Sequence, residues 1–543
     1  NTAAAVATSA LGYAYAWASA EDITINAITT EGLTDSTVTN AGTIDINIDA
    51  SANATATAYE ASASASIDGI SARGIDGWNV DNSSLSNSGN IDIDIVLDAS
   101  ATANGVNYAD AEAYVSYDMS LYGIESQDIT NGSTISNTGS ISIDLGVTSN
   151  TVATATSNSA AADAYVYLSE LSNIYGIEVE DVTDSTISNE GTIQLSVHHD
   201  LTATATANDA SAQISGTYIA TAQGIETDTL DNASIENSGQ ITIDLSADMN
   251  ATANGVTDAY ASASLEELNG FGIVPDDLNN GSSISNSGSI TINLAGLAAA
   301  TASADDASAD AEIDYLTAYG IETGSLDASS IENSGTIDIG IAVDAVADAN
   351  GVSDASADVS IGDFSAYGIS TSDLTNGSSV SNSGSIAIDI TATGAATAVA
   401  TSASGSADAE VSELDVSYAY GIYTGSVTDS TVSNSGQIQI AIDAVGEATA
   451  TGNDASASVT DVSASAYGVY AGTLMGSTVS NSGDITIDMS LDATATANAT
   501  SDAWAEASVN WFSGYGMDLG TVQASSSVVN SGTIAINATA SAT

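Results

Sequence analysis

From Ile337 onward the chain alternates without a break. Ile337, Ile339, Ile341, Val343, Ala345, Ala347 and Ala349 make one set of positions, and Asp338, Gly340, Ala342, Asp344, Val346, Asp348 and Asn350 make the other. A period of two predicts a strand with one buried face and one mostly polar face. Asn350-Gly351 is expected to reverse the chain, as Asn-Gly does in tight turns. A second alternating run then returns, with Ala355, Ala357, Val359 and Ile361 inward and Asp354, Ser356, Asp358 and Ser360 outward. The inward set tapers from Ile and Val to Ala near the reversal. Strands that meet across Ala approach more closely than the ~10 Å of ordinary stacked sheets, so each coil reads as a flat wedge, thin at its tip. Ala favours helices, but here it alternates with Ser, Thr and Asp, and Ser and Thr disfavour a helix interior.

The pattern recurs along the whole chain. A phrase Ile-x-Asn-x-Gly-x-Ile, seen clearly at Ile284–Ile290 and Ile331–Ile337, precedes each long strand. Its Asn falls at Asn40, Asn87, Asn137, Asn189, Asn237, Asn286, Asn333, Asn382, Asn434, Asn481 and Asn530, at spacings of 47 to 52 residues that average 49. A fixed period of this size means stacked units. The expected fold is all-β: a parallel β-helix (β-solenoid) of eleven coils of about 49 residues with flat Ala-rich extensions. Residues 1–543 are read as a single array with a half-coil at each end. At ~4.8 Å per coil the body would be about 53 Å long.

Stacking in register predicts ladders of identical residues along the axis. One is the Asn series, in which each amide can donate and accept along the stack. The Gly two residues after each Asn is expected to adopt a backbone angle closed to other residues. A second series comprises Tyr122, Tyr175, Tyr319, Tyr367, Tyr420, Tyr467 and Tyr515, with Phe271 as a variant and Arg73 and Gln223 as exceptions.

Composition narrows the function classes. Lys and Arg together number 1, Asp and Glu 70, and the net charge is −69. With Arg73 as the sole strong base, binding to phosphate backbones or anionic membranes is not expected. There are no cysteines, which removes disulfides, thiolate metal sites and cysteine nucleophiles. No run of 18 apolar residues is present, so no helical membrane span is expected. Charge of this density must condense cations, and Asp, Asn and backbone oxygens suit Ca²⁺ and Mg²⁺. Neither an EF-hand loop nor the Gly-Gly-x-Gly-x-Asp nonapeptide occurs, so diffuse Ca²⁺ or other cation binding is expected, without dedicated cages or a cofactor.

Catalysis is not expected. A lyase needs a base and a hydrolase needs clustered carboxylates with unequal pKa values. Here the carboxylates recur as rows, and no rung stands out. His198 and His199, followed by Asp200, are adjacent on one strand and so point to opposite faces, which prevents both from binding one metal. Thr-Ala-Thr triplets at Thr55–Thr57, Thr154–Thr156, Thr202–Thr206, Thr449–Thr451 and Thr494–Thr496 bring ice binding into view, although only some coils carry them. Asn-x-Ser/Thr sequons such as Asn53-Ala54-Thr55, Asn131-Gly132-Ser133, Asn280-Gly281-Ser282 and Asn376-Gly377-Ser378 arise readily in so polar a composition.

The Ile-x-Asn-x-Gly-x-Ile phrase with its Gly-Ile pair resembles the β-helical passenger regions of bacterial autotransporters and related surface adhesins, across all eleven repeats. The resemblance implies a right-handed parallel β-helix exported to the cell exterior; the 49-residue coil is long for such proteins. The chain opens on Ala3–Ala20 and Glu21–Ile25, read as a return strand without an outgoing partner. It closes on Ser531–Thr543, read as an outgoing strand without its return. Open edges at both ends are templates for pairing, and a contact that does not close generates a filament. The expected function is therefore an extracellular structural protein, a cell-surface filament subunit assembling head-to-tail with copies of itself. An adhesin stalk or passenger segment that meets surface glycans or other cells is the near alternative. An ice-binding solenoid or a polysaccharide-acting β-helix enzyme is the distant one.

Overall fold

The computed structural model describes residues 2–116, 119–169, 173–217 and 220–543. Among them there is no helix: every regular element is a strand, and every strand pairing is parallel. The chain winds as a parallel β-solenoid. One coil shows the path: a short corner strand Ser330–Asn333, a long outgoing strand Thr336–Gly351, a return strand Asp354–Ile361 and a closing strand Ser365–Thr375. Each pairs with its counterpart one coil away. Ile331 lies between Ile284 and Val380, Ile337 between Ile290 and Ile386, Ala355 between Ala307 and Ala407, and Tyr367 between Tyr319 and Tyr420.

The alternation places its side chains as the period of two requires. Ile337, Ile339, Ile341, Val343, Ala345, Ala347 and Ala349 are buried, and Asp338, Ala342, Asp344 and Asn350 are exposed. The facing strands complement one another in volume. A Cβ at Gly296 would lie 2.7 Å from Leu265 Cδ2, and one at Gly394 would lie 3.2 Å from Cγ1 of both Val359 and Val411. Small residues on the outgoing strand therefore face branched ones on the return strand, and the core stays filled.

Three expectations are corrected. Asn350-Gly351 is not the reversal: both belong to the outgoing strand, and the chain turns at Val352-Ser353. Gly351 is required by proximity, since a Cβ there would fall 1.9 Å from the Asp354 carbonyl oxygen. The Gly after each Asn does not take a positive φ. At Gly288, Gly335 and Gly384 a Cβ would fall 2.0 Å from the carbonyl oxygen of the glycine one coil earlier, so close coil-to-coil approach is what demands glycine. Finally, the first segment is not all return strand. Thr2–Thr8 pairs with Ser51–Thr57 as the tip half of an outgoing strand, and the return strand begins at Tyr13. At the other end Thr533–Ala542 pairs with Asp484–Ala493 as an outgoing strand.

The tip reversal absorbs much of the variation in coil length. It has two residues between Ser303 and Asp306, but five between Ala155 and Ala161 and five between Ala400 and Ser406. The corner keeps its register regardless.

Candidate functional site

The Asn corner is the most regular part of the molecule. Asn40 Nδ2 donates to Asn87 Oδ1 at 2.8 Å, Asn87 to Asn137 at 2.9 Å, and the series continues through Asn189, Asn237, Asn286, Asn333, Asn382, Asn434 and Asn481 to Asn530. The second amide hydrogen of Asn286 goes to the Thr336 carbonyl, and the Asn286 carbonyl accepts from Ser334 and Gly335. Each buried polar group thus has a partner, as burial requires.

Just before this corner lies a second recurring position that the sequence reading passed over. Asp35, Asn82, Asn131, Asp184, Asn232, Asn280, Ala328, Asn376, Asp429, Gly476 and Ala524 all have φ near +50° to +66°. Asn, Asp and Gly tolerate this left-handed turn, which explains their prevalence. The position shortly after it is Ser in every coil except one, where Ala233 replaces it, and in the interior coils that hydroxyl is buried in the stack. Ser83 N donates to Ser133 Oγ at 3.1 Å, and Ser329 N donates to Ser378 Oγ at 3.1 Å. The sequons at Asn131, Asn280 and Asn376 are this turn: their Asn is exposed and their Ser is structural. The recurrence of Asn or Asp, then Ser, five or six residues before seven of the eleven ladder Asn residues was the available signal.

The closing strand carries the Tyr series. Tyr122 stacks on Tyr175 at 5.1 Å; Phe271, Tyr319, Tyr367, Tyr420, Tyr467 and Tyr515 form a second, continuous stack at 4.5 to 5.5 Å. Gln223 lies between the two stacks. After the rings at Tyr122, Tyr175, Phe271, Tyr319 and Tyr420, a Gly and an Ile are both buried, so the alternation slips and the next residue is again partly exposed. That residue forms a carboxylate row: Asp76, Glu125, Glu178 and Glu226, with Glu322 further along. Two residues on comes a second outward row: Trp78, Gln127, Glu180, Asp228 and Asp276. Burial first, then neighbouring carboxylates, push the Glu178 and Glu226 pKa values up to about 8. Burial and Asp276 raise Glu322 to about 7.

One cleft interrupts this regularity. Arg73, Asp76, Trp78, Glu125, Ser126, Gln127, Glu178 and Glu180 line a hollow of about 310 Å³. Arg73, the only Lys or Arg in the chain, lies with its guanidinium carbon 5.0 Å from the Tyr122 ring centre. Its Nε donates to Glu125 Oε2 and its Nη1 donates to Ser71 Oγ at 3.0 Å. Burial raises the Glu125 pKa and Arg73 opposes the rise. Trp78, one of four Trp in the chain, is 53% exposed and forms one wall. The sequence reading noted Arg73 as an exception in the Tyr series but did not connect it to Trp78. The signal was that two rare residues lie five apart in an otherwise repetitive chain.

The histidines part as the strand period demands. His198 faces out, its Nδ1 2.7 Å from Ser246 Oγ. His199 is buried between Val147 and Ala247, and neither ring nitrogen reaches hydrogen-bond geometry with a partner, the nearby Ser246 backbone included. Burial drives its pKa down to about 3. Its bulk is accommodated because Gly216 occupies the register held by Leu168 and Leu265 in the flanking coils. Thr55, Thr102, Thr204, Thr252, Thr301, Thr397, Thr449 and Thr496 share one outward register, broken by Val152 and Asp348, so the Thr series is longer than the triplets indicate but falls into runs of two or three. Among the described residues, no three His, Asp or Glu side chains converge in a geometry that would hold a metal ion. No helix among them is long and apolar enough to cross a membrane.

No known protein family, curated protein or solved structure matches this chain.

Proposed function

We propose that this protein is an extracellular structural protein, a cell-surface filament subunit that stacks head to tail on copies of itself. The observation that supports the reading is the unbroken Asn ladder: every coil offers the next the same donors, acceptors and backbone path, so any coil edge is a template for another. Heterologous stacking of this kind is open-ended. An adhesin stalk would use the same rigid body, anchored singly.

Charge sets the conditions for assembly. At about 0.1 M salt the Debye length is ~10 Å, roughly two coils, and bodies of charge −69 repel strongly at a joint. At about 1 M it falls to ~3 Å and apolar contact with new ladder bonds prevails. Diffuse Ca²⁺ would act in the same direction. The test is light scattering and electron microscopy across salt and Ca²⁺, with a variant lacking residues 535–543. The intact protein should form fibres of one-coil-wide solenoid in high salt, and the truncated protein should not. Intact protein that remains monomeric throughout rejects the filament in favour of the single stalk.

The aligned Thr series favours a second reading, ice binding, because its runs Thr204–Thr252–Thr301 and Thr397–Thr449–Thr496 space hydroxyls at ~4.8 Å along the stack. Thermal hysteresis measured on the intact protein decides it, and its absence removes the reading.

A further inference from the structure

We infer that the cleft walled by Trp78 binds a guanidinium cation, seated on the indole between Asp76 and the Glu178–Glu180 pair. The inference stands apart from the filament reading, since the cleft lies on the outer face of the closing strands and not on a coil edge.

The structure displays the ligand chemistry within its own chain. In the same cleft the Arg73 guanidinium rests against the face of Tyr122 and bonds to Glu125, so one subsite is already filled by a planar cation held between a ring and a carboxylate. That arrangement matches the preference of guanidinium for aromatic faces and for carboxylate forks. The remaining lining repeats the same pair of features. Trp78 provides an exposed indole, and Asp76, Glu178 and Glu180 are carboxylates to which Arg73 makes no bond. The cleft therefore holds four acidic side chains against one cation, with Glu178 largely protonated near pH 7.

The surroundings exclude other ligand classes. An anion would meet uncompensated carboxylates, and an apolar ligand would have to strip water from them. A bare metal ion lacks a converging ligand set, as among the described residues no three acidic side chains come together for one. A guanidinium spreads its charge over a plane, is weakly hydrated, and can touch the indole and two carboxylates at once. Glu178, whose pKa burial and neighbouring carboxylates raise to about 8, gives up its proton on binding the cation, so affinity should increase as pH rises from about 7 to about 8.5.

Rarity strengthens the assignment. A solenoid repeats its surface, so a specific site requires residues that do not repeat. The single Arg and one of the four Trp of the chain lie five residues apart and line one cleft.

Titration calorimetry at about 0.15 M NaCl tests the proposal, with methylguanidinium, a capped Gly-Arg-Gly peptide and methylammonium as probes. One guanidinium per chain is expected, bound at least about tenfold more tightly than methylammonium. Trp78→Ala and Glu180→Gln should each weaken it about tenfold or more, while Glu332→Gln, an exposed carboxylate elsewhere on the stack, should leave it unchanged. Arg73→Ala should bind two methylguanidinium ions, the second filling the vacated subsite and restoring the melting temperature. That rescue keeps the test informative even if Trp78→Ala loosens the coil. Tight binding by the peptide alone identifies an arginine of a partner protein as the source; binding by both probes identifies the free cation. Equal binding of methylammonium, or equal loss in Glu332→Gln, means a diffuse ion atmosphere and overturns the proposal. So does a failure of Arg73→Ala to take a second ion. Absence of fibres alongside intact cleft binding would reject the filament alone.

Discussion

The Asn ladder and the Tyr ladder run along the same stack, yet one is unbroken and the other is not. At the Asn corner each amide donates to the Asn of the next coil and accepts from that of the last, and the interior members are almost wholly buried. A foreign residue there would orphan two neighbours in a place water cannot reach. Apart from the buried Tyr420, the Tyr rings keep an edge in solvent and gain from one another mainly by stacking, worth about 0.5–1.5 kcal/mol per pair beyond burial. Exceptions are therefore tolerable, and Arg73 and Gln223 occur at that ladder. The difference teaches that a repeat protein acquires individual chemistry where its ladder bonds are weak and solvated, not where they are buried and reciprocal.

The largest effect should come from the glycine beneath the Asn corner. Gly288→Ala puts a methyl 2.0 Å from the Gly239 carbonyl oxygen, with no side chain able to move aside. A loss of about 5 kcal/mol or outright failure to fold is expected, read by thermal melting and by amide exchange at the corner. Asn286→Leu should come next. It leaves Asn237 without its acceptor and Asn333 without its donor, costing about 3 kcal/mol.

Acid should separate the buried and half-exposed groups by sign. His199 is neutral in the fold, with its pKa near 3, but protonates near 6.5 when unfolded. The unfolded chain thus binds more protons below pH 6.5, and stability from this residue falls with pH, by about 2–3 kcal/mol at pH 4.5. His199→Val should abolish that loss. Glu178 and Glu226 behave oppositely. Their pKa values of about 8 exceed the ordinary value near 4.3, so the folded chain binds more protons between those limits and stability rises as pH falls. The melting temperature should climb from pH 8 to pH 6.5, and Glu178→Gln with Glu226→Gln should flatten the climb. A profile that falls over that window contradicts the assignment.

The smallest expected effect sharpens the comparison most. Gln223→Tyr would join Tyr175 to Phe271 and make the aromatic stack continuous, adding about 1 kcal/mol. The mirror experiment at the Asn corner has no counterpart, because nothing is missing there to restore.

Much of the fold was legible because its grammar has a period of two nested in a period of 49. Alternation named the inward residues from Ile337 to Ala349 correctly, and the recurring phrase fixed which residues stack. The errors arose where one residue type serves two physical purposes. Gly335 and Gly351 are small because backbone crowds them, whereas glycine in a sequence suggests turning; the turning falls to the earlier corner, mostly to Asp, Asn and Ala, with Gly476 in one coil and Gly132, Gly281 and Gly377 beside the Asn in three others. The cleft was not legible as a unit. Arg73 and Trp78 are near in sequence, but Glu125 and Glu178 arrive from the following coils, and only the register across coils brings them together.

The variable tip and the constant corner also decide how the body would carry force. Tension along the axis pulls directly on the bonds between coils, and at a covered coil the load is shared across the corner, outgoing, return and closing strands together. A free end coil loaded through its own chain instead peels one bond at a time, starting at whichever strand the chain end occupies. Tip loops of two or five residues lie off this path and leave it unchanged. A stack of this design is strong where its ends are capped by another coil and weak where they are bare, so in the filament proposed above tensile strength would belong to the assembly rather than to the single chain.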